Sequence, residues 1–122
     1  MISIIKEAAL SLRLELNPEI VMTDFETAAM NAYQFHFPRV QLIGCFFHYG
    51  QAIYRRLKNE CKLSSEYRTD NDLAKWLKSV IALALLPPSQ VETAFAYLME
   101  EEVVTKYPAL TEFNDYFVET WI

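Results

Sequence analysis

The residues with the most chemistry to offer lie in three short stretches. The first, VMTDFETA at residues 21–28, is an apolar run that stops at Asp24, with Glu26 two positions further on. A carboxylate between a strand end and a helix start suits two tasks. It can ligate a metal at the carboxyl edge of an open α/β sheet, where ligands collect. It also fits a capping box, with Thr23 as N-cap and Glu26 reaching back to it. These four residues taken alone favour the cap. The second stretch, Cys45-Phe46-Phe47-His48, has a C-x-x-H spacing that lets a thiolate and an imidazole share one ion. A structural zinc takes four ligands, and His36 with Cys61 would complete a Cys2His2 set. The plainer reading, preferred on local grounds, is a buried thiol at a strand end and a histidine in the first turn of a helix. The third stretch is Gln51, Arg55, Lys58 and Lys62, with His48 at its edge, recurring at helical spacing. Such a stripe could meet DNA phosphates, or be the solvated face of an amphipathic helix.

The net charge of −5 is unevenly spread. Residues 1–62 hold seven Lys/Arg against six Asp/Glu, whereas residues 63–122 hold four against ten. Tight binding to DNA through phosphates alone needs clustered cations, so this balance excludes a strongly basic, non-specific binder. A chain of 122 residues that is 52% hydrophobic is expected to fold as one soluble globular domain. No stretch has the length and apolarity of a membrane span. Lys6, Glu7, Arg13 and Glu15 interrupt the apolar N-terminal pattern, unlike the hydrophobic region of a signal peptide. Cys45 and Cys61 are expected to be reduced thiols, since so apolar a core needs no staple.

The elements that must position these residues follow from periodicity. Ile4, Ile5, Ala8, Ala9, Leu12 and Leu16 share one helical face, with Asn17-Pro18 as the stop. Glu19 to Met22 is short and β-branched and reads as a buried strand, and Val40 to Cys45 as a second. Phe25, Ala28, Ala29, Ala32 and Tyr33 supply the helix between them. Two strands joined through a helix imply parallel pairing, which normally belongs to a larger sheet covered on both faces. An unpaired edge of such a sheet invites self-association.

From Phe46 onward about four helices are expected. Phe46, Tyr49, Ile53 and Leu57 form the first apolar stripe. Leu73, Trp76, Leu77, Val80, Ile81, Ala84 and Leu85 form the strongest, stopped at Pro87-Pro88. Ser89 to Glu92 reads as a capping box opening a helix with Val91, Ala94, Phe95, Leu98 and Met99 inward. A last helix near Pro108 carries Leu110, Phe113, Phe117 and Trp121.

The run PEIVMTDFETAAMNAYQFHFPRVQLIGCFFHYGQAIYRRL, followed by YRTD and then IALALLPPSQVETAFAYL, resembles the transposase domain of Mutator-like elements (MULE). The likeness extends through most of the chain, and its parts keep their order: T-D-F-E, F-P, C-x-x-H-Y-x-Q-A, A-L-x-x-L-P. It implies a truncated ribonuclease-H-like α/β fold at residues 1–46, a parallel βαβ remnant, followed by an all-helical insertion at 47–122. It also implies metal-dependent cleavage and transfer of DNA strands at element ends, in the nucleus and away from membranes. The family's catalytic cores hold two divalent cations between two Asp and a Glu, and two such ions stabilise both attacking and leaving oxygens. Hard oxygen ligands suit Mg2+ or Mn2+.

Carried onto this chain, the family's second catalytic aspartate falls on Asp24, which reverses the local preference and makes it the expected metal ligand. The C-x-x-H signature falls on Cys45 and His48. The first aspartate is expected upstream of Met1 and the third acid beyond Ile122, since Glu119 belongs to an ordinary amphipathic helix. With one of three acids, the 122 residues are expected to bind no cation tightly and to be inert alone. A helical protein-interaction module derived from a transposase, and the small Cys2His2 zinc domain, are the competing readings.

Overall fold

Strand β1, Ile20–Thr23, and strand β2, Gln41–Gly44, run parallel, with Val21 opposite Leu42 and Thr23 opposite Gly44. The computed structural model describes all of residues 1–122, and these two strands are its whole sheet. Helix α2, Thr27–His36, carries the chain back between them, as a parallel connection requires. Alternation then sorts the side chains. Val21 and Leu42 pack with Ala32 and Tyr33 against the buried residues Ile2, Phe37 and Val40. Ile20 and Met22 point to the opposite face and are 56% and 62% exposed. The expected buried strand is therefore only half buried: helices cover one face of the sheet and leave the other bare.

Helix α1, Ile2–Ser11, departs from expectation in length and in orientation. It ends well before Asn17-Pro18 because Arg13 takes a left-handed conformation, φ 57°. The Arg13 N–H then donates to the Leu10 carbonyl at 2.9 Å, and the Leu14 N–H to that of Ala9 at 2.8 Å. This is a Schellman-type closure, a position usually given to glycine, so the sequence carries no sign of it. The face expected inward is bare, with Ile4 67% and Leu12 71% exposed. The helix docks instead through Ile2, and through Lys6, whose Nζ donates to the His36 carbonyl at 3.1 Å and lies over the Phe37 ring. Helical periodicity says which residues share a face, while the availability of a packing partner decides which face is covered.

The chain forms two compact units, Met1–Tyr49 and Gly50–Ile122, against an expected boundary at 46/47. Helix α3, Phe46–Arg55, runs across the division and continues as a π-helical turn, Arg56–Glu60. Tyr49, Ile53 and Leu57 are buried as expected, while Phe46 is 47% exposed.

In the second unit follow α4 (Ser64–Thr69), α5 (Asn71–Ala82), α6 (Pro88–Met99), α7 (Glu102–Lys106) and α8 (Leu110–Trp121). Together they exceed the expected number, because α4 and α7 are too short to show a period. Leu73, Trp76, Leu77 and Val80 from α5, Phe95 from α6, and Leu110, Phe113 and Phe117 from α8 are essentially inaccessible to solvent. Phe95 and Phe117 meet at 4.5 Å between ring centroids, and Phe113 stacks on Phe117 at 6.4 Å.

Three details correct the sequence reading. After Ala82 the chain tightens into a 3-10 turn, Leu83–Leu85, which buries Leu83 and turns Ala84 and Leu85 outward. Helix α6 starts at Pro88, with Pro87 before it and no side-chain cap, so the Ser89–Glu92 capping box does not form. Proline suits the first helical position because its missing N–H would have no partner there, and this draws Ser89 inside the first turn. Met99, expected inward, is 38% exposed. The protein is thus a helix-rich α/β chain with a small two-stranded parallel sheet.

Candidate functional site

Parallel strands end on the same side, so the residues after β1 and β2 share one rim. Asp24 follows β1 directly and is half-buried. Its Oδ1 accepts from the Glu26 N–H at 3.1 Å and from the Thr23 hydroxyl at 3.4 Å. An aspartate that bonds the N–H two residues on forms its own turn. That turn delays the helix to Thr27, and Glu26 precedes it without a side-chain cap. The Thr23–Glu26 capping box is therefore replaced by an Asp24 turn. The second carboxylate oxygen, Oδ2, makes no hydrogen bond.

Cys45 occupies the matching position after β2. Its N–H donates to the Thr23 carbonyl at 2.8 Å, which extends the ladder by one bond to the rim. Its carbonyl accepts from the Tyr49 N–H at 3.0 Å and so opens α3. The thiol is free and half-buried. His48, one turn into α3, is exposed and meets the Phe47 ring edge-on at 5.8 Å.

Between Asp24 and Cys45 the rim is tight. A Cβ built at Gly44 would collide with two atoms of the Phe25 ring. Only glycine lets that ring rest on the end of β2. The clash falls on the outer atoms of a side chain that is 43% exposed, not on backbone. Gly44→Ala is accordingly expected to cost about 1–2 kcal/mol, at the mild end of overpacking. The cost should largely vanish in a Phe25→Ala background, a coupling measurable by a double-mutant cycle in urea. Additive costs would show that the ring does not constrain Gly44.

The Cys2His2 set expected as an alternative is not assembled. His36 ends α2 on the amino side of the sheet, whereas Cys45 and His48 lie past its carboxyl end. The four residues of β2 between them span about 13 Å, far beyond a shared coordination sphere. Cys61 is buried, and burial pushes its thiol pKa up, partly opposed by the Arg56 charge. No three His, Cys, Asp or Glu side chains gather into a group that could hold a metal ion.

In the second unit Arg55, Lys58 and Lys62 are all exposed. The one ion pair in the chain joins Lys106 to Asp70, so these three cations have no carboxylate partner. Lys62 stands in a left-handed conformation, φ 56°, where the chain leaves the π-helical turn. Arg56, between them in sequence, is withdrawn from the stripe, its guanidinium 4.5 Å from the centre of the Tyr116 ring.

A polar constellation that sequence reading did not anticipate centres on Asp70. Its Oδ1 accepts from the N–H groups of Asp72 at 2.9 Å and Leu73 at 3.4 Å, capping α5. Its Oδ2 accepts from Lys106 Nζ and from the Tyr107 hydroxyl, both at 2.6 Å. Asp-Asn-Asp-Leu at residues 70–73 is a readable N-cap signal. The partners at 106 and 107 are not readable, because nothing local links them to residue 70.

Compared with family models, with curated proteins and with solved structures, the chain matches none.

Proposed function

We propose that the chain is the central part of a MULE-type DNA transposase domain, with a ribonuclease-H-like remnant followed by a helical insertion. In this reading Asp24 is one of three acids that together hold two Mg2+ or Mn2+ ions, and the other two lie outside these 122 residues. The observation that carries the reading is the position of Asp24. It follows the first strand of a parallel βαβ unit, on the rim where such sheets bind ligands, with one carboxylate oxygen uncommitted. A single carboxylate of this kind binds a divalent ion weakly, and the chain alone cleaves no DNA.

Mn2+ supplies the test, because its paramagnetism broadens the NMR signals of nearby nuclei. Titration is expected to broaden Thr23 to Glu26 and Cys45 first, at millimolar metal, and Asp24→Asn should remove the effect. Broadening that ignores the substitution, or that centres elsewhere, would overturn the assignment.

Supporting evidence for a DNA role in the same reading is the set of unpaired cations Arg55, Lys58 and Lys62. Each phosphate that a cation no longer neutralises lowers the salt dependence of binding by about 1 in log–log slope. Lys58→Gln and Arg55→Gln are therefore each expected to reduce the slope by about 1, without altering sequence preference. A slope unchanged in the double variant would remove this stripe from the DNA interface.

A further inference from the structure

The segment Leu12-Arg13-Leu14-Glu15-Leu16 alternates apolar and charged residues, the pattern of a half-buried strand. Yet it belongs to neither strand of the sheet. Leu12 and Leu14 are bare, at 71% and 61% exposure, and Leu16 keeps 37% of its surface open at the rim of a cavity that it lines with Leu10 and Phe37. Arg13 and Glu15 are exposed and have no ion-pair partner within the chain. Beyond Leu14 its backbone makes no hydrogen bond to other backbone groups.

What would satisfy all of these groups at once is a second copy of the same segment. Laid antiparallel about a two-fold axis at Leu14, the two segments place Leu12 opposite Leu16, Leu14 opposite Leu14, and Arg13 opposite Glu15, twice. Opposite charges facing each other across an antiparallel pair are stabilising, and like charges are not. Parallel pairing in register would set Arg13 against Arg13 and Glu15 against Glu15. Slipping the register by one residue would set leucines against charges and turn the apolar face to the wrong side. The sequence is thus self-complementary in one direction and one register.

We propose that residues 12–16 form a self-pairing strand through which two copies of the chain make a two-fold antiparallel dimer, leucines on one face and reciprocal Arg13–Glu15 pairs on the other. Pairing draws Arg13 out of its left-handed conformation into the extended region. The two backbone bonds that close α1 are given up, and relief of the left-handed strain together with the new ladder offsets them. The proposal is independent of the metal reading of Asp24, and its test uses neither metal nor DNA.

Sedimentation velocity on the whole chain over a range of concentrations reads the association. The wild type is expected to dimerise. Arg13→Glu and Glu15→Arg each place like charges opposite one another and should weaken the dimer by about tenfold or more. The double reversal, Arg13→Glu with Glu15→Arg, should restore it. Leu14→Arg, which sets two cations face to face on the axis, is a second disruption that does not depend on the ion pairs. All of these positions are exposed, and an unchanged circular dichroism melt in dilute solution confirms that the fold survives. A wild type that stays monomeric throughout overturns the proposal, as does a double reversal that fails to restore a dimer lost in the single variants. Association that survives the single reversals but disappears in Met22→Lys belongs to the bare face of the sheet, and also overturns it.

Discussion

Replacing Trp76 with alanine is expected to destabilise the second unit by about 3–5 kcal/mol, the range for removing a large buried ring. Trp76 is 1% exposed and packs edge-on against Phe113 at 5.4 Å. Its indole N–H also donates to the Leu98 carbonyl at 2.9 Å, tying α5 to α6. The substitution therefore opens a cavity and cuts a tie between two helices. Against a total stability of roughly 4–11 kcal/mol for a unit this size, the loss is severe. Trp76→Phe separates the two contributions. It keeps most of the ring packing but removes the donor, and the Leu98 carbonyl retains its weaker bond from the Glu101 N–H at 3.4 Å. A smaller cost of about 1–2 kcal/mol is expected for it. Urea unfolding followed by circular dichroism checks both. An alanine variant within about 1 kcal/mol of wild type would show that Trp76 does not organise this core.

The second large effect is a dependence on pH that runs through Asp70. Hydrogen bonds from Lys106 and then from Tyr107, joined by the capping bonds of Asp72 and Leu73, hold its carboxyl well below the usual carboxylate range. A carboxyl whose folded pKa is depressed contributes stability that is complete above its unfolded value, near 4, and is lost as pH falls toward the folded value. The wild type should therefore lose stability progressively as acid is added below about pH 4. The same contacts push the Lys106 ammonium and the Tyr107 hydroxyl upward, both chiefly through their hydrogen bonds to Asp70. That share of stability is present below their ordinary values, and it fades as pH rises above about 10.

Asp70→Asn keeps an oxygen that can still cap α5 but turns an N–H2 toward two donors. The expected result is a lower melting temperature at neutral pH and a flatter acid limb, so that the two proteins converge in acid. Lys106→Met and Tyr107→Phe should each lower the neutral melting temperature by less than Asp70→Asn. Parallel acid limbs for wild type and Asp70→Asn would show that the titrating group lies elsewhere.

These two predictions draw on residues that sequence exposes to different degrees. Trp76 was legible because Leu73, Trp76, Leu77 and Val80 repeat a helical face over about two turns, and Leu110, Phe113 and Phe117 do the same in α8. Many residues voting for one period make a strong signal, and each period found its partner helix. The bond from Trp76 to the Leu98 carbonyl was not legible, because backbone carbonyls look alike in sequence. Asp70 carries a local N-cap signal that the reading of the sequence did not take up, and its other two partners lie 36 and 37 positions away.

The candidate rim divides in the same way. The strand–helix–strand order, and with it the placing of Asp24 and Cys45 after strand ends, came from short β-branched runs flanking a helical period. The expected capping boxes at Thr23 and Ser89 did not form. Competing local bonds, an aspartate turn in one case and a proline at the first helical position in the other, moved each helix start by a residue or more. The helix ends at Arg13 and Lys62 were missed because both residues occupy left-handed positions where glycine would have been the sign.

By itself, then, the sequence determined which residues share a face within the longer elements and the order in which those elements follow, since both depend on backbone geometry and on neighbours a few positions apart. Only the tertiary structure decided which face is covered: Ile2 rather than Ile4 on α1, Val21 rather than Met22 on β1, Leu83 rather than Leu85 beyond α5. Burial needs a partner surface supplied by distant parts of the chain, and a periodic pattern states the demand for such a surface without naming the element that meets it.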